Sequence, residues 1–148
     1  MINKNNKQGF TLIELLVVIA IIGLLSTLSI LALNTARARA RDAKRIADVK
    51  EIQTALEMYY NDAGGYPPTM TTASTSIAYG SSTYLATLPV PPTPADGTNC
   101  AYTAAYTYTA ASFNGSASGT YTLQYCLGSA INNVPGNTII YATPAGIK

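Results

Sequence analysis

Lys7-Gln8-Gly9-Phe10-Thr11-Leu12-Ile13-Glu14 runs straight into LLVVIAIIGLLSTLSILAL, Leu15 to Leu33, and the reading of this stretch decides the fold. The apolar run holds 19 residues without a charge or a proline. At about 1.5 Å per helical residue it spans close to 29 Å, the thickness of a bilayer's hydrocarbon core. So small a domain has too little interior to bury such a segment on all sides, so the run predicts a membrane-inserted helix. It is longer than the apolar region of a secretory signal, and no small-residue cleavage site precedes the charged stretch that follows. A lipoprotein signal needs a cysteine near the cut, whereas both cysteines lie beyond residue 99.

Outward from this segment, charge is strongly segregated. The 148 residues are 48% hydrophobic and only 11% charged, where a soluble domain carries roughly a quarter charged residues. That balance is the reverse of a disordered chain's. Every charged residue except Asp96 and Lys148 lies at or before Asp62. A net charge of +2 gives no overall basic field for nucleic acid. With no histidine, imidazole catalysis and histidine-ligated metals are excluded, and two cysteines are too few for a Cys-only zinc site or an iron–sulfur cluster.

The residues ahead of the run carry their own message. Gly9 is a poor helix former, so the bond after it can stay extended while a helix starts at Phe10. Glu14 places a carboxylate near the top of a membrane helix, where it is costly and calls for a partner. From Gly9 to Leu16 the glycine, the phenylalanine and the lone glutamate at fixed spacing resemble the class III signal of type IV pilins and pseudopilins. The resemblance implies that a prepilin peptidase cuts between Gly9 and Phe10 and methylates the new amine of Phe10. It also implies that Phe10 and Glu14 direct assembly, Glu14 neutralising the amine of a neighbouring subunit. Ala43 to Pro68, AKRIADVKEIQTALEMYYNDAGGYPP, is similar to the stretch joining helix to head in the major pseudopilins of type II secretion systems and in related pilins. One count points the other way. Six Lys and Arg from Arg37 to Lys50 follow the span against Lys4 and Lys7 before it, which by the positive-inside rule would hold the C-terminal side in the cytoplasm; long C-terminal domains escape that rule.

Between Thr35 and Asp62 there is no Pro or Gly, and helix formers dominate. Val49, Ile52, Leu56 and Tyr60 form an apolar stripe expected to cover the chain's own head, while Ala36, Ala40, Ala43 and Ala47 form a second, smaller stripe expected to meet neighbouring helices. Arg39/Asp42, Lys44/Asp48 and Arg45/Asp48 have ion-pair spacing. Arg37, Arg39, Arg41, Lys44 and Arg45 therefore read as a solvated, ion-paired face that can also meet anionic lipid headgroups. One helix from Phe10 to Asp62 would be about 80 Å long, ended by Ala63-Gly64-Gly65 and Pro67-Pro68. Gly23, with Ser26 and Ser29, is the nearest thing to a flexible point in the membrane half, which lacks the proline of many relatives of the resembled family.

The head is rich in Thr, Ser, Ala, Gly and Tyr. Residues 102–110 and 120–127 alternate with period two and predict an antiparallel hairpin, with Thr138–Tyr141 a third strand after the Val134–Asn137 turn. Leu88–Pro94, with four prolines, predicts a stiff loop. So few large aliphatics give little core, so the sheet is expected to pack on the Val49–Tyr60 stripe. Cys100 and Cys126 frame the hairpin, and in an exported protein such a pair predicts a disulfide. Asn114-Gly115-Ser116 matches a glycosylation sequon that arises readily by chance. Asp96 is the head's single carboxylate side chain, short of what a calcium site like that of type II major pseudopilins would need.

The predicted architecture is α+β: a leader at 1–9, the membrane and assembly half of a helix at 10–34, its amphipathic half at 35–65, and an antiparallel head at 66–148. The resemblance implies a structural subunit of a type IV pilus-like surface filament, polymerised through its N-terminal helix. The alternative is a pseudopilin of a type II secretion or DNA-uptake machine. A third reading is a membrane-anchored surface binding protein that never polymerises and keeps its leader. Implied partners are further copies in a helical homopolymer, prepilin peptidase, an inner-membrane assembly platform and membrane lipid; nucleic acid has no specific support. The precursor is expected in the cytoplasmic membrane with its head outside, and the assembled form in an extracellular pilus or periplasmic pseudopilus. No cofactor, metal or catalytic residue is expected, since Asp48 and Glu51 sit on an ion-paired helix beside no activated nucleophile.

Overall fold

The computed structural model describes residues 9–70, 76–100, 105–110 and 119–147. The first predicted strand's opening residues, 102–104, and the sequon at 114–116 fall outside them. The chain divides into two compact units, Met1–Arg37 and Ala38–Lys148, each taken separately below.

Helix α1 runs Leu12–Ala63. Its interior has a single glycine, Gly23, and no proline, so nothing removes a backbone donor along its length. It begins at Leu12 rather than at Phe10 because Thr11 caps it, as described below. It stops where Gly64 turns left-handed (φ +73°) and donates its N–H to the Tyr60 carbonyl at 2.9 Å, a glycine terminus that an L-residue enters only with strain.

In the first unit the helix buries nothing: the apolar side chains from Leu12 to Leu33 are all at least 48% exposed. The hydroxyls of Ser26, Thr27, Ser29 and Thr35 fold back onto the carbonyls of Ile22, Leu24, Leu25 and Leu31. These four hydroxyls are thereby paired within the helix, as an apolar medium requires. By length and composition this helix can cross a membrane.

The second unit is helix plus sheet. Strands β1 (Ile77–Tyr79) and β2 (Ser82–Leu85) form a small hairpin closed by Gly80-Ser81. Strands β3 (Thr107–Ala110), β4 (Tyr121–Leu127), β5 (Thr138–Thr143) and β6 (Gly146–Ile147) form an antiparallel meander in that order. The pairing Thr107↔Gln124 to Ala110↔Tyr121 is the hairpin the alternation predicted, and β5 adds to it through Leu123↔Ala142. β1, β2 and β6 were not foreseen; they are two to four residues long, too short to show a period. Alternate residues of β4 (Tyr121, Leu123, Tyr125, Leu127) and of β5 (Ile140, Ala142) face Val49, Ile52, Ala55 and Leu56 of the helix in one core. Tyr60 departs from the expected stripe: it is 38% exposed. Tyr66, returning just past the helix end, covers the core there instead, its ring 4.7 Å from Tyr121 and 4.8 Å from Tyr60.

Candidate functional site

At the start of the apolar helix, Thr11 and Glu14 form a reciprocal cap. The Thr11 N–H and hydroxyl both donate to Glu14 Oε2, at 2.8 and 2.6 Å, while the Glu14 N–H reaches back to Thr11 Oγ1 at 3.3 Å. This is a capping box, in which two otherwise orphaned backbone donors are satisfied by side chains three residues apart. The signal Thr11-x-x-Glu14 ahead of an apolar run was legible, yet reading Glu14 only as a charge in lipid missed it. Gly9 and Phe10 precede the cap outside any regular element, and Phe10 is 89% exposed. The predicted scissile bond therefore lies in accessible chain outside the helix, one residue before the cap.

The second constellation joins helix to head within the second unit, and it overturns the solvated reading for Arg45 and in part for Arg41, while Arg37, Arg39 and Lys44 stay exposed. Asp42 is fully buried, Arg45 4% and Asp48 5% exposed. Arg41 forks onto Asp96, Nε to Oδ2 at 2.7 Å and Nη2 to Oδ1 at 2.6 Å. Arg45 Nη1 donates to Asp42 Oδ1 at 2.6 Å and to Asp96 Oδ2 at 3.2 Å, and its Nη2 to the carbonyls of Pro92 and Pro94. Asp42 also accepts the backbone N–H groups of Gly128 and Ser129, both at 2.9 Å. Lys44 pairs with Asp48 as its spacing predicted, but Arg45 chooses Asp42 over Asp48. Asp42 is taken by Arg45 and the two amides rather than by Arg39, which stays exposed. The reason is geometric: the Pro-rich loop and the β4–β5 turn bring Asp96, two carbonyls and two N–H groups onto this face, and a desolvated charge must be fully partnered. Asp96, weighed as a lone cation ligand, is held by two guanidinium groups. The Arg41 hydrogen bond above all lowers its pKa, against the opposing effect of burial.

Glycines allow the close approach. A Cβ on Gly128 would sit 2.3 Å from the Asp96 Cβ, and one on Gly97, at φ +100°, would sit 2.8 Å from Asn137 Oδ1. Cys100 and Cys126 are disulfide-bonded, their Cα atoms 5.5 Å apart. The bond ties the Asp96 segment to the end of β4, hence to Gly128. Head tyrosines complete the junction: Tyr106 donates to Asp48 and Tyr66 to Glu57, each at 2.8 Å, and Tyr84 to Asp62. Burial first, then these carboxylates, push the phenols of Tyr106 and Tyr66 well above the usual range. The head's hydroxyl-rich character thus has a use that composition alone did not suggest. Ala36, Ala40, Ala43 and Ala47 are all exposed, leaving the small-residue stripe uncovered in the single chain. Among the described residues no group of three or more Cys, Asp or Glu is placed to hold a metal.

A capped helix whose apolar first half is exposed, long enough to cross a membrane and preceded by an accessible Gly–Phe bond, resembles the start of a prepilin. Residues 4–30 match the prokaryotic N-terminal methylation motif. The type II secretion system core protein G of Aeromonas hydrophila is 38% identical over 66 residues, 45% of this chain and 46% of that protein. Its counterpart in Escherichia coli K12 is 38% identical over 65 residues (44% and 45%), and that of Vibrio cholerae 37% over 67 (45% and 46%). The matched stretch spans less than half the length of these curated relatives. No solved structure matches the chain at a significant level. Motif and relatives make the N-terminal part of the chain similar to type IV pilins and pseudopilins.

Proposed function

We propose that the chain is the precursor of a structural subunit of a type IV pilus-like filament, cut between Gly9 and Phe10, methylated at Phe10, and polymerised through its N-terminal helix. The observation that carries the reading is the Thr11–Glu14 cap at the head of an apolar helix with no buried side chain. Both Thr11 bonds fall on Glu14 Oε2, which leaves Oε1 to meet a second donor. After cleavage, the amine of Phe10 on a neighbouring copy is a donor of the right charge, and pairing with it fixes the axial register as subunits join. Segments 10–34 and 35–65 then act as anchor and head support, with prepilin peptidase, an inner-membrane assembly platform and lipid as successive partners. The role is structural rather than catalytic.

The relatives named as type II secretion core proteins favour a pseudopilus in the cell envelope. The Asp96 carboxylate held by two arginines favours the surface pilus, since that reading asks no cation site of the head. The test is co-expression with a prepilin peptidase and an assembly system. A mature chain beginning at N-methylated Phe10 is expected, and Glu14→Val should be cut and membrane-retained yet absent from sheared or detergent-resistant filaments. Filaments of normal yield from Glu14→Val would sink the role given to Glu14.

A further inference from the structure

Beside the charged junction, Arg45, Pro91, Tyr106, Tyr125 and Cys126 enclose a small cavity with about 10 Å³ of room for the centre of a water molecule. Tyr125 is 1% exposed, and its hydroxyl has no hydrogen-bond partner among the described residues. A buried hydroxyl left without a partner is disfavoured as strongly as a lost hydrogen bond. Arg45 uses both terminal nitrogens on Asp42, Asp96 and two carbonyls, which leaves its Nε–H as the donor not yet spent among the described residues. Tyr106 donates its proton to Asp48 and keeps oxygen lone pairs for one incoming bond.

We infer that this cavity is an internal water site, the water accepting from Tyr125 Oη and Arg45 Nε and donating to Tyr106 Oη. The volume is about that of a single water centre, and three partners lie within the two-to-four that buried waters take. The site's walls are the parts that the junction joins: Arg45 from α1, Pro91 from the proline loop, Tyr106 just before β3, and Tyr125 and Cys126 from β4. One molecule there completes the polar seam between helix and sheet where side chains alone leave a gap.

The sign of a single substitution separates an orphan hydroxyl from a hydrated one. Tyr125→Phe deletes the hydroxyl with almost no change of shape. With the water in place, the variant in detergent micelles should melt about 3–6 °C below the parent, the scale of one lost hydrogen bond in a domain this size. In the parent chain, a water-selective nuclear Overhauser experiment should give a cross-peak from a long-lived water to the Arg45 Nε–H. A Tyr125→Phe chain that melts at or above the parent's temperature overturns the inference. So does an Arg45 Nε–H without a water cross-peak.

Discussion

The two halves of α1 invert the usual rule of burial. In the half up to Arg37, large apolar side chains stand exposed; in the half from Ala38, Asp42, Arg45 and Asp48 are buried. What differs is the surroundings each half is built for. An apolar face without a cover implies a medium other than water. Charges leave water only where every one meets an opposite charge and a hydrogen bond, and the second half supplies both through Asp96, the proline-loop carbonyls and two backbone amides. One continuous helix therefore carries two opposite solutions, and its two ends should fail differently.

The sharpest way to break the comparison is to unpair the buried half. Asp42→Ala strips Arg45 of its closest partner and orphans the N–H groups of Gly128 and Ser129. Loss of one partner from a buried ion pair costs about 3–5 kcal/mol. Urea unfolding followed by tyrosine circular dichroism, apt because the chain has no tryptophan, should show the head's midpoint collapse. A loss below about 1 kcal/mol would mean these charges behave as exposed ones do.

Next comes the disulfide. Cys100 lies four residues after Asp96 and Cys126 two before Gly128, so the bond braces both sides of the charged junction. Replacing both cysteines with serine should cost up to about 3.5 kcal/mol, from the entropy of its 27-residue loop. In an Asp42→Ala background the further loss should be smaller, because both changes loosen the same segments. Strict additivity would separate the disulfide from the junction.

Acidity sharpens the contrast more gently. Asp96 has its pKa lowered, chiefly by Arg41. It adds stability that is present above its unfolded value of about 3.9 and fades as pH falls through the lower folded one. Tyr66, Tyr106, Tyr108, Tyr121 and Tyr125 are all raised, burial being the largest cause in each. Their contribution is intact below pH about 10 and disappears as the unfolded chain's phenols ionise above it. Melting temperature against pH should therefore hold a plateau between these limits and fall at both ends, with the alkaline fall the steeper. A head equally stable at pH 8 and pH 11 would contradict the burial of these rings.

How much of this was legible beforehand follows the same divide. The long apolar helix could be read because such a helix is specified by a local run of side chains. Strands β3 to β5 were legible because alternation is also local. The junction was not: Arg41 and Asp96 are 55 positions apart, and nothing in either one's neighbourhood distinguishes a guanidinium facing water from one facing a carboxylate. The i,i+3 spacing rule proposed Arg45 with Asp48, and the tertiary approach of the Gly128 turn gave Arg45 to Asp42, three residues the other way, instead. Tyr60 failed for a related reason, since helical period alone cannot foresee that Tyr66 doubles back to cover its place.

The smallest effect on the head is expected from the largest insult to the anchor. Ile22 is 56% exposed, so Ile22→Lys should change the head's unfolding free energy by no more than about 0.5 kcal/mol, as for an ordinary surface position. The same substitution puts a charge at mid-span, where insertion is disfavoured by roughly 2.5–3.5 kcal/mol. Carbonate extraction of membranes should release much of the variant while its head melts as the parent's does. A head destabilised by more than about 1 kcal/mol would mean that anchor side chains support the folded unit, and the separation of the two halves would be lost. A variant still fully retained in the membrane would mean that the exposed apolar face is made for something other than lipid.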